Sequence, residues 1–143
     1  RWFGGDGQNR LSVNVVSFSY KRGLPRGADL VFDCRFLDNP HWQPDLREGD
    51  GRDPAVAAHV LADERYALFF ERLWGLVGML LPAYREEGRS YLTVALGCTG
   101  GRHRSVVVAA DLARAIGADG WRVSLRHREL DRPDKTSPAG AGG

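Results

Sequence analysis

The chain has 143 residues, a mass of 15.8 kDa, 43% hydrophobic residues and a net charge of +2 at pH 7. This length and hydrophobic content suffice for one compact domain with a hydrophobic core. The small net charge argues against a uniformly basic nucleic-acid-binding protein, so any basic surface has to be local.

The cysteines and the apolar stretches indicate the cellular compartment of the domain and whether it contacts a membrane. Cys34 and Cys98 are the only two cysteines, and both lie in apolar segments rather than in the spaced pairs of a disulfide or zinc framework. We therefore expect a reducing cytoplasm, no metal site and no cofactor. The apolar stretch Leu73 to Tyr84 falls short of the roughly 20 residues that span a bilayer, so no membrane contact is expected. Because the chain starts at Arg1, we expect it to be a piece of a longer protein.

The first part of the chain predicts two strands and a functional loop. Leu11 to Ser19 and Ala28 to Phe36 are rich in β-branched and apolar residues, and glycine and proline punctuate the gap between them. The polar stretch from Asn39-Pro40 to Asp53-Pro54 has turn chemistry. Because loops of this length are uncommon unless they are functional or mobile, we interpret it as a ligand-facing loop.

The second part alternates helices and strands. Apolar residues at helical spacing predict a helix from Pro54 that ends near Pro82 to Gly88. The continuous apolar run Tyr91 to Leu96 is typical of a central strand buried on both faces. A helix from about Arg104 to Ile116, stopped by Gly117, and a last strand from Arg122 to His127 complete the pattern.

The element order β, β, α, β, α, β predicts an α/β fold, a single domain with a largely parallel or mixed sheet flanked by helices. The domain is expected to cover residues 1–130. Residues 131–143, DRPDKTSPAGAGG, have the composition of a disordered tail.

The segment from Gly97 to Ser105 joins the central strand to the following helix and is rich in glycine. Glycines let backbone amides converge, and the start of a helix carries partial positive charge, so this loop suits an anion such as phosphate. Arg102, His103 and Arg104 add cationic groups, while Thr99 and Ser105 add hydroxyls. The loop lacks the Gly-Lys-Ser/Thr ending of a Walker A motif, so nothing here supports nucleotide hydrolysis.

Three segments, SFSYKRGLP, ADLVFDCRFLDNPHW and RSYLTVALGCTGGRHRSV, closely resemble the carboxy-terminal domain of the RapZ (YvcJ) family over about residues 12 to 130. Members of that family join an amino-terminal P-loop domain to this one and act as adapters that direct RNase E to small RNAs. They sense glucosamine-6-phosphate through the carboxy-terminal domain. The resemblance thus implies a sugar-phosphate sensor and RNA-binding module that is oligomeric and not an enzyme.

The resemblance also implies a ligand site in two parts. The residues carried over by it are Asp33, Arg35 and His41 on one side and Cys98, Thr99, Gly100, Gly101, His103, Arg104 and Ser105 on the other. Asp33 and Arg35 are two positions apart at a strand end and point to the same face, where a carboxylate suits sugar hydroxyls or an amine. The alternatives are a structural ion pair for these two residues and a structural loop histidine for His41.

Cys98 to Arg104 also spells C-x5-R, the motif of cysteine-dependent phosphatases, in which the thiolate attacks a phosphate held by the loop and its arginine. Asp33 or Asp38 would supply the acid in such an enzyme. Those enzymes usually have histidine before the cysteine, whereas this chain has Gly97. We therefore expect no catalytic residue here.

The last strand separates two kinds of side chain. Trp121, Val123, Leu125 and His127 alternate with Arg122, Ser124, Arg126 and Arg128. The arginines Arg122, Arg126 and Arg128 are candidates for contact with the phosphates of structured RNA. The alternative is a solvated strand edge protected by charge. The tail lacks the lysine-rich end expected of the family, which weakens this prediction relative to phosphate binding.

Overall fold

The computed structural model describes residues 11–130. In chain order the strands and helices are β1 (Ser12–Ser19), β2 (Leu30–Asp33), α1 (Pro54–Leu61), α2 (Tyr66–Glu86), β3 (Tyr91–Cys98), α3 (Arg104–Ala118) and β4 (Arg122–His127). Short 3-10 turns occupy Tyr20–Arg22 and Pro40–Trp42. The predicted tail and the first ten residues lie outside the described part of the chain.

The four strands form one sheet in the order β2-β3-β1-β4, and every neighbouring pair is parallel. The prediction of an α/β fold with a largely parallel sheet is confirmed. β1 and β3 are the inner strands, and their register pairs Ser12 with Tyr91 and Ser19 with Cys98. All four strands therefore end at the same edge of the sheet.

The core lies between this sheet and the helices. Alternate residues of the inner strands, such as Val13, Val15 and Val94, join Leu73 and Leu112 of the helices in one buried cluster. Burying a leucine or valine side chain in this way stabilises the fold by about 1.5–3 kcal/mol. The core therefore fixes where the strand ends meet, which positions the candidate site.

Several boundaries differ from the sequence prediction. The helix expected from Pro54 is two helices, because Asp63 and Arg65 form a turn between α1 and α2 in which the Asp63 carboxylate accepts the backbone N–H of Arg65 at 2.9 Å. Gly117 does not stop α3, which continues to Ala118; the glycine with left-handed backbone is Gly120, at φ +96°. β2 covers only Leu30–Asp33 of the predicted stretch.

Helix α2 is longer and less buried than the apolar stretch in the sequence indicates. It is the one helix within residues 11–130 that is long and apolar enough to span a membrane, judged by length and composition alone. Its most apolar 18 residues have a mean hydropathy of 1.2, and 22% of them are buried. One such helix is weak evidence for a membrane. Its buried residues Tyr66, Leu73, Val77 and Leu81 face the core.

Candidate functional site

The glycine-rich loop leaves the sheet at the end of the inner strand β3 and runs directly into α3. Gly97 and Cys98 still belong to the strand, so the loop itself is residues 99–103. His103 is the N-cap residue of α3 and makes no side-chain cap hydrogen bond. The amides of the first helical turn and the helix dipole therefore point toward the loop, an arrangement that favours anions.

Gly101 is the loop position that requires glycine. Its φ is +72°, and an added Cβ would lie 2.5 Å from Glu129 Cγ and 2.8 Å from the backbone nitrogen of Ser19. Gly100 is different, because nothing lies within 4 Å of a Cβ built there. One side of the loop is thus packed against β1 and residue 129, and the other side is open.

Ser19, at the end of β1, holds the beginning of the loop. Its hydroxyl donates to the backbone carbonyl of Thr99 at 2.6 Å. The side chain of Ser19 is buried, so this bond is shielded from water. The two inner strands therefore fix the loop together.

Cys98 lies beneath the loop with its thiol turned toward the first turn of α3. Its Sγ is 3.1 Å from the Ser105 hydroxyl and accepts the Ser105 N–H at 3.4 Å, and the residue is 2% exposed. The preceding Gly97 has no room for a side chain, because a Cβ would lie 2.4 Å from the Phe18 ring and 2.7 Å from that of Tyr20. The histidine found at this position in cysteine phosphatases would not fit.

His103 attaches the long polar loop to the glycine-rich loop. Its Nε2 lies 2.9 Å from the carbonyl of Gly49 and 3.2 Å from that of Arg47, so Nε2 carries the proton and donates to both. Burial lowers the pKa of His103, against the opposing effect of these two hydrogen bonds. The neutral His103 ring therefore stabilises the folded state fully at pH values above the pKa that His103 has in the unfolded chain. This contribution is lost as the pH falls through the lower pKa of the folded state.

Arg104 joins the loop to the segment that follows β2. The residue is 5% exposed, and its Nη1 donates to the carbonyls of Arg35 at 2.5 Å and Leu37 at 3.2 Å. Its Nε is buried without a hydrogen-bond partner in the part of the chain that the structure describes. An unpaired buried donor of this kind is costly, and Arg104 is also one of the residues that line the neighbouring cavity.

These elements enclose a cavity of about 520 Å³ at the carboxyl edge of the sheet. Its lining residues are Lys21, Asn39, His41, Trp42, Arg47, Glu48, Cys98, Thr99, Gly100, Arg102, His103 and Arg104. Four of them are lysine or arginine and one is a carboxylate, so the cavity is cationic. Its size suits a small ligand of sugar-phosphate dimensions.

The cavity brings together six of the ten predicted ligand residues. Those that line it are His41, Cys98, Thr99, Gly100, His103 and Arg104. Gly101 and Ser105 do not line it: Gly101 lies against the Ser19 backbone and the Glu129 side chain, and the Ser105 hydroxyl is 3.1 Å from Cys98 Sγ. The long polar loop does face the cavity, through His41, Arg47 and Glu48.

Asp33 and Arg35 do not line this cavity but form the ion pair that was the alternative interpretation. Arg35 donates to both carboxylate oxygens of Asp33, at 2.9 and 2.7 Å, and its guanidinium lies 3.9 Å from the ring centroid of Tyr20. The hydrogen bonds from Arg35 lower the pKa of Asp33. Their role as ligand contacts remains a prediction.

Six lining residues were not among the predicted ligand residues: Lys21, Asn39, Trp42, Arg47, Glu48 and Arg102. Trp42 carries the clearest signal, because a tryptophan that is 72% exposed is unusual and suits ring stacking. Arg102 was visible as a cation of the loop. Arg47 and Glu48 gave no signal, because their approach depends on the hydrogen bonds of His103.

The three arginines of the predicted stripe have different surroundings. β4 is an edge strand, and Arg122 and Arg126 are exposed on it. Arg128 lies beyond the strand, and its side chain is only 14% exposed. It donates to the Glu129 carboxylate at 2.8 Å and to the Gly23 carbonyl at 2.9 Å. On the opposite side, His127 is buried and bonded to Ser17, whereas Leu125 is exposed.

Together, the fold and the site define an α/β domain with a candidate anion site between an inner parallel strand and a helix. A family model described as the RapZ C-terminal domain matches residues 11–131. The chain belongs to this family.

Individual relatives agree with this assignment. The chain is 60% identical over 132 residues to a nucleotide-binding protein of Ruegeria pomeroyi, covering 92% of the chain and 46% of that protein. It is 57% identical over 132 residues to a nucleotide-binding protein of Dinoroseobacter shibae, covering 92% of the chain and 44% of the relative. It therefore spans less than half the length of these relatives.

Proposed function

We propose that the domain binds an amino-sugar phosphate, glucosamine-6-phosphate or a near relative, and serves as the sensing and RNA-binding adapter domain of a RapZ-like regulator. The observation that carries the proposal is the cationic cavity built on the glycine-rich loop and the start of α3. Family membership supports it. The domain is proposed to bind its ligand without converting it.

In this proposal each part of the cavity has a role. The phosphate would lie on the loop amides, beside Arg102 and Arg104. Lys21 would approach from the end of β1. The sugar would extend toward Asn39, His41 and Trp42, which offer hydrogen bonds and an aromatic face. Because the loop is fixed by Ser19 and His103, little ordering would accompany binding.

Calorimetry with glucosamine-6-phosphate tests the proposal. We expect saturable binding that Arg102→Ala weakens about tenfold or more, since a hydrogen bond to a charged group contributes about 1.5–3 kcal/mol. Arg72→Ala removes the same charge from the exposed surface of α2 and should leave the affinity unchanged. Absence of binding at millimolar ligand, or equal effects of the two variants, would contradict this assignment.

The alternative function is a cysteine-dependent phosphatase, which the C-x5-R spacing from Cys98 to Arg104 supports. The buried thiol of Cys98 and the engagement of the Arg104 guanidinium with two carbonyls favour binding over catalysis. We expect Cys98→Ser to keep most of the ligand affinity and the parent to release no phosphate from an aryl phosphate. Aryl phosphate turnover by the parent that disappears in Cys98→Ser, together with a phosphocysteine trapped on the parent, would establish the phosphatase.

The RNA-binding part of the proposal rests on the exposed arginines of the edge strand β4. Phosphate contacts displace counterions, so binding of structured RNA should weaken steeply with salt. Changing Arg122, Arg126 and Arg128 to alanine should reduce affinity for every RNA and flatten the log–log salt slope by about 0.7 to 0.9 per lost contact. Because Arg128 is engaged elsewhere, Arg122 and Arg126 should account for most of the change.

Mobility shifts across a salt series measure this slope. No RNA binding at low salt, or a triple variant with the parent slope, would leave the arginines as a charged strand edge. In the proposed regulator the domain would be oligomeric, which multiplies the arginine surface, and would have RNase E as its protein partner.

A further inference from the structure

Glu129 is a charged residue that lies immediately behind the glycine-rich loop. Its side chain is 6% exposed although it follows the edge strand. Its Oε2 accepts the backbone N–H of Ser19 at 3.0 Å and the Arg128 Nε at 2.9 Å, while its Oε1 lies 3.4 Å from the Arg22 Nε. A carboxylate buried to this extent has to be paired, and these partners provide the pairing.

The same side chain supports the loop at two points. At Gly101, the position of a Cβ would be 2.5 Å from Glu129 Cγ, so the side chain packs directly against the loop backbone. At Thr99 the support is indirect, because the Ser19 whose amide donates to Glu129 donates its own hydroxyl to the Thr99 carbonyl. Glu129 thus contacts or braces the residues on both sides of Gly100.

The charge of Glu129 makes this placement informative. A carboxylate near an anion site opposes the ligand by Coulomb repulsion, even when cations partly neutralise it. A residue that served only the electrostatics of the cavity would have the opposite charge. What the carboxylate offers here is geometry: an acceptor for the Ser19 amide and an anchor for two arginines.

We propose that Glu129 is a positioning residue that holds the loop 99–103 in its anion-binding conformation through Ser19 and Gly101. The inference rests on the proposed function, since it concerns the same loop. It also assigns Arg128 to the support of the loop, because its guanidinium binds Glu129 and the carbonyl of Gly23.

Two substitutions and two readouts test the proposal. Glu129→Gln keeps the side-chain volume and an acceptor for Ser19, whereas Glu129→Ala removes both. Calorimetry with glucosamine-6-phosphate measures affinity, and the amide resonances of Gly100 and Gly101 report the loop conformation without ligand. We expect Glu129→Ala to weaken binding about tenfold, with Glu129→Gln intermediate, and to shift both glycine resonances.

The control is Asp111→Ala, which removes another hydrogen-bonded carboxylate, the acceptor of the Tyr66 hydroxyl, from the middle of α3 rather than from behind the loop. It should leave the glycine resonances and the affinity in place. A purely electrostatic role for Glu129 predicts the opposite sign, tighter binding in both variants. Unchanged or tighter binding in Glu129→Ala would overturn the proposal.

Failure of the proposed function would give a different experimental result from failure of the positioning role. If the parent protein binds no sugar phosphate, the ligand assignment fails, but the Gly100 and Gly101 resonances still judge the positioning role. Resonances in Glu129→Ala that coincide with those of the parent would overturn it.

Discussion

Replacing Gly101 with alanine is expected to abolish ligand binding and to lower the free energy of unfolding by about 2–4 kcal/mol. Two costs add. The backbone at φ +72° disfavours any side chain, and the new methyl group would meet the backbone of Phe18 and Ser19 and the Glu129 side chain within 3.0 Å. Because two of these contacts are backbone atoms, rotation of a side chain cannot relieve the clash.

Gly100→Ala is the matched control, since the Cβ there enters open space. Its stability to urea should stay within about 0.5 kcal/mol of the parent. Its ligand affinity should fall, because in the proposed site the added methyl group would separate the loop backbone from the phosphate. Equal stability of both variants, or full binding by Gly101→Ala, would show that the packed side of the loop does not set its conformation.

The second large effect is expected from Arg104→Ala. The change leaves the carbonyls of Arg35 and Leu37 without their donor and should cost about 3 kcal/mol of stability. It also removes one of the four cations that line the cavity, so binding of glucosamine-6-phosphate should be lost even under conditions where the variant is folded. Urea denaturation and calorimetry on the same samples separate the two losses.

Arg114→Ala provides the comparison on the same helix, because Arg114 is exposed and forms an ion pair with Asp111. A surface pair of this kind contributes about 0–1 kcal/mol, and the ligand affinity should not change. If Arg104→Ala kept parent-like stability, the hydrogen bonds to the carbonyls of Arg35 and Leu37, which follow β2, would not be important to the fold. If it kept parent-like affinity, Arg104 would not belong to the site.

The parts of the fold that the sequence predicts well depend on local pattern. The strand predicted at residues 122–127 has the bounds of β4, and the continuous apolar run that predicts a central strand lies in β3, the partner of β1. The glycine-rich turn between β3 and α3 was equally visible, because glycine, a preceding strand and a following helix are neighbours in the chain.

What the sequence did not predict depends on contacts between distant residues. Gly117 was expected to end α3, but the helix continues because its face packs on the sheet, and the left-handed residue is Gly120. Glu48 enters the cavity because His103, 54 residues from Gly49, holds its loop. Arg128 looked like a member of the strand stripe, yet Glu129 and Gly23 engage its guanidinium. No spacing in the sequence encodes these pairings.

A crystal structure of the domain grown with glucosamine-6-phosphate would locate the ligand directly. We expect the phosphate within hydrogen-bond distance of the amides of the loop 99–103 and of Arg102 or Arg104, with the sugar toward His41 and Trp42. Density for the ligand at another surface, or a cavity free of ligand in crystals of a protein that binds it in solution, would show that the glycine-rich loop is not the binding site.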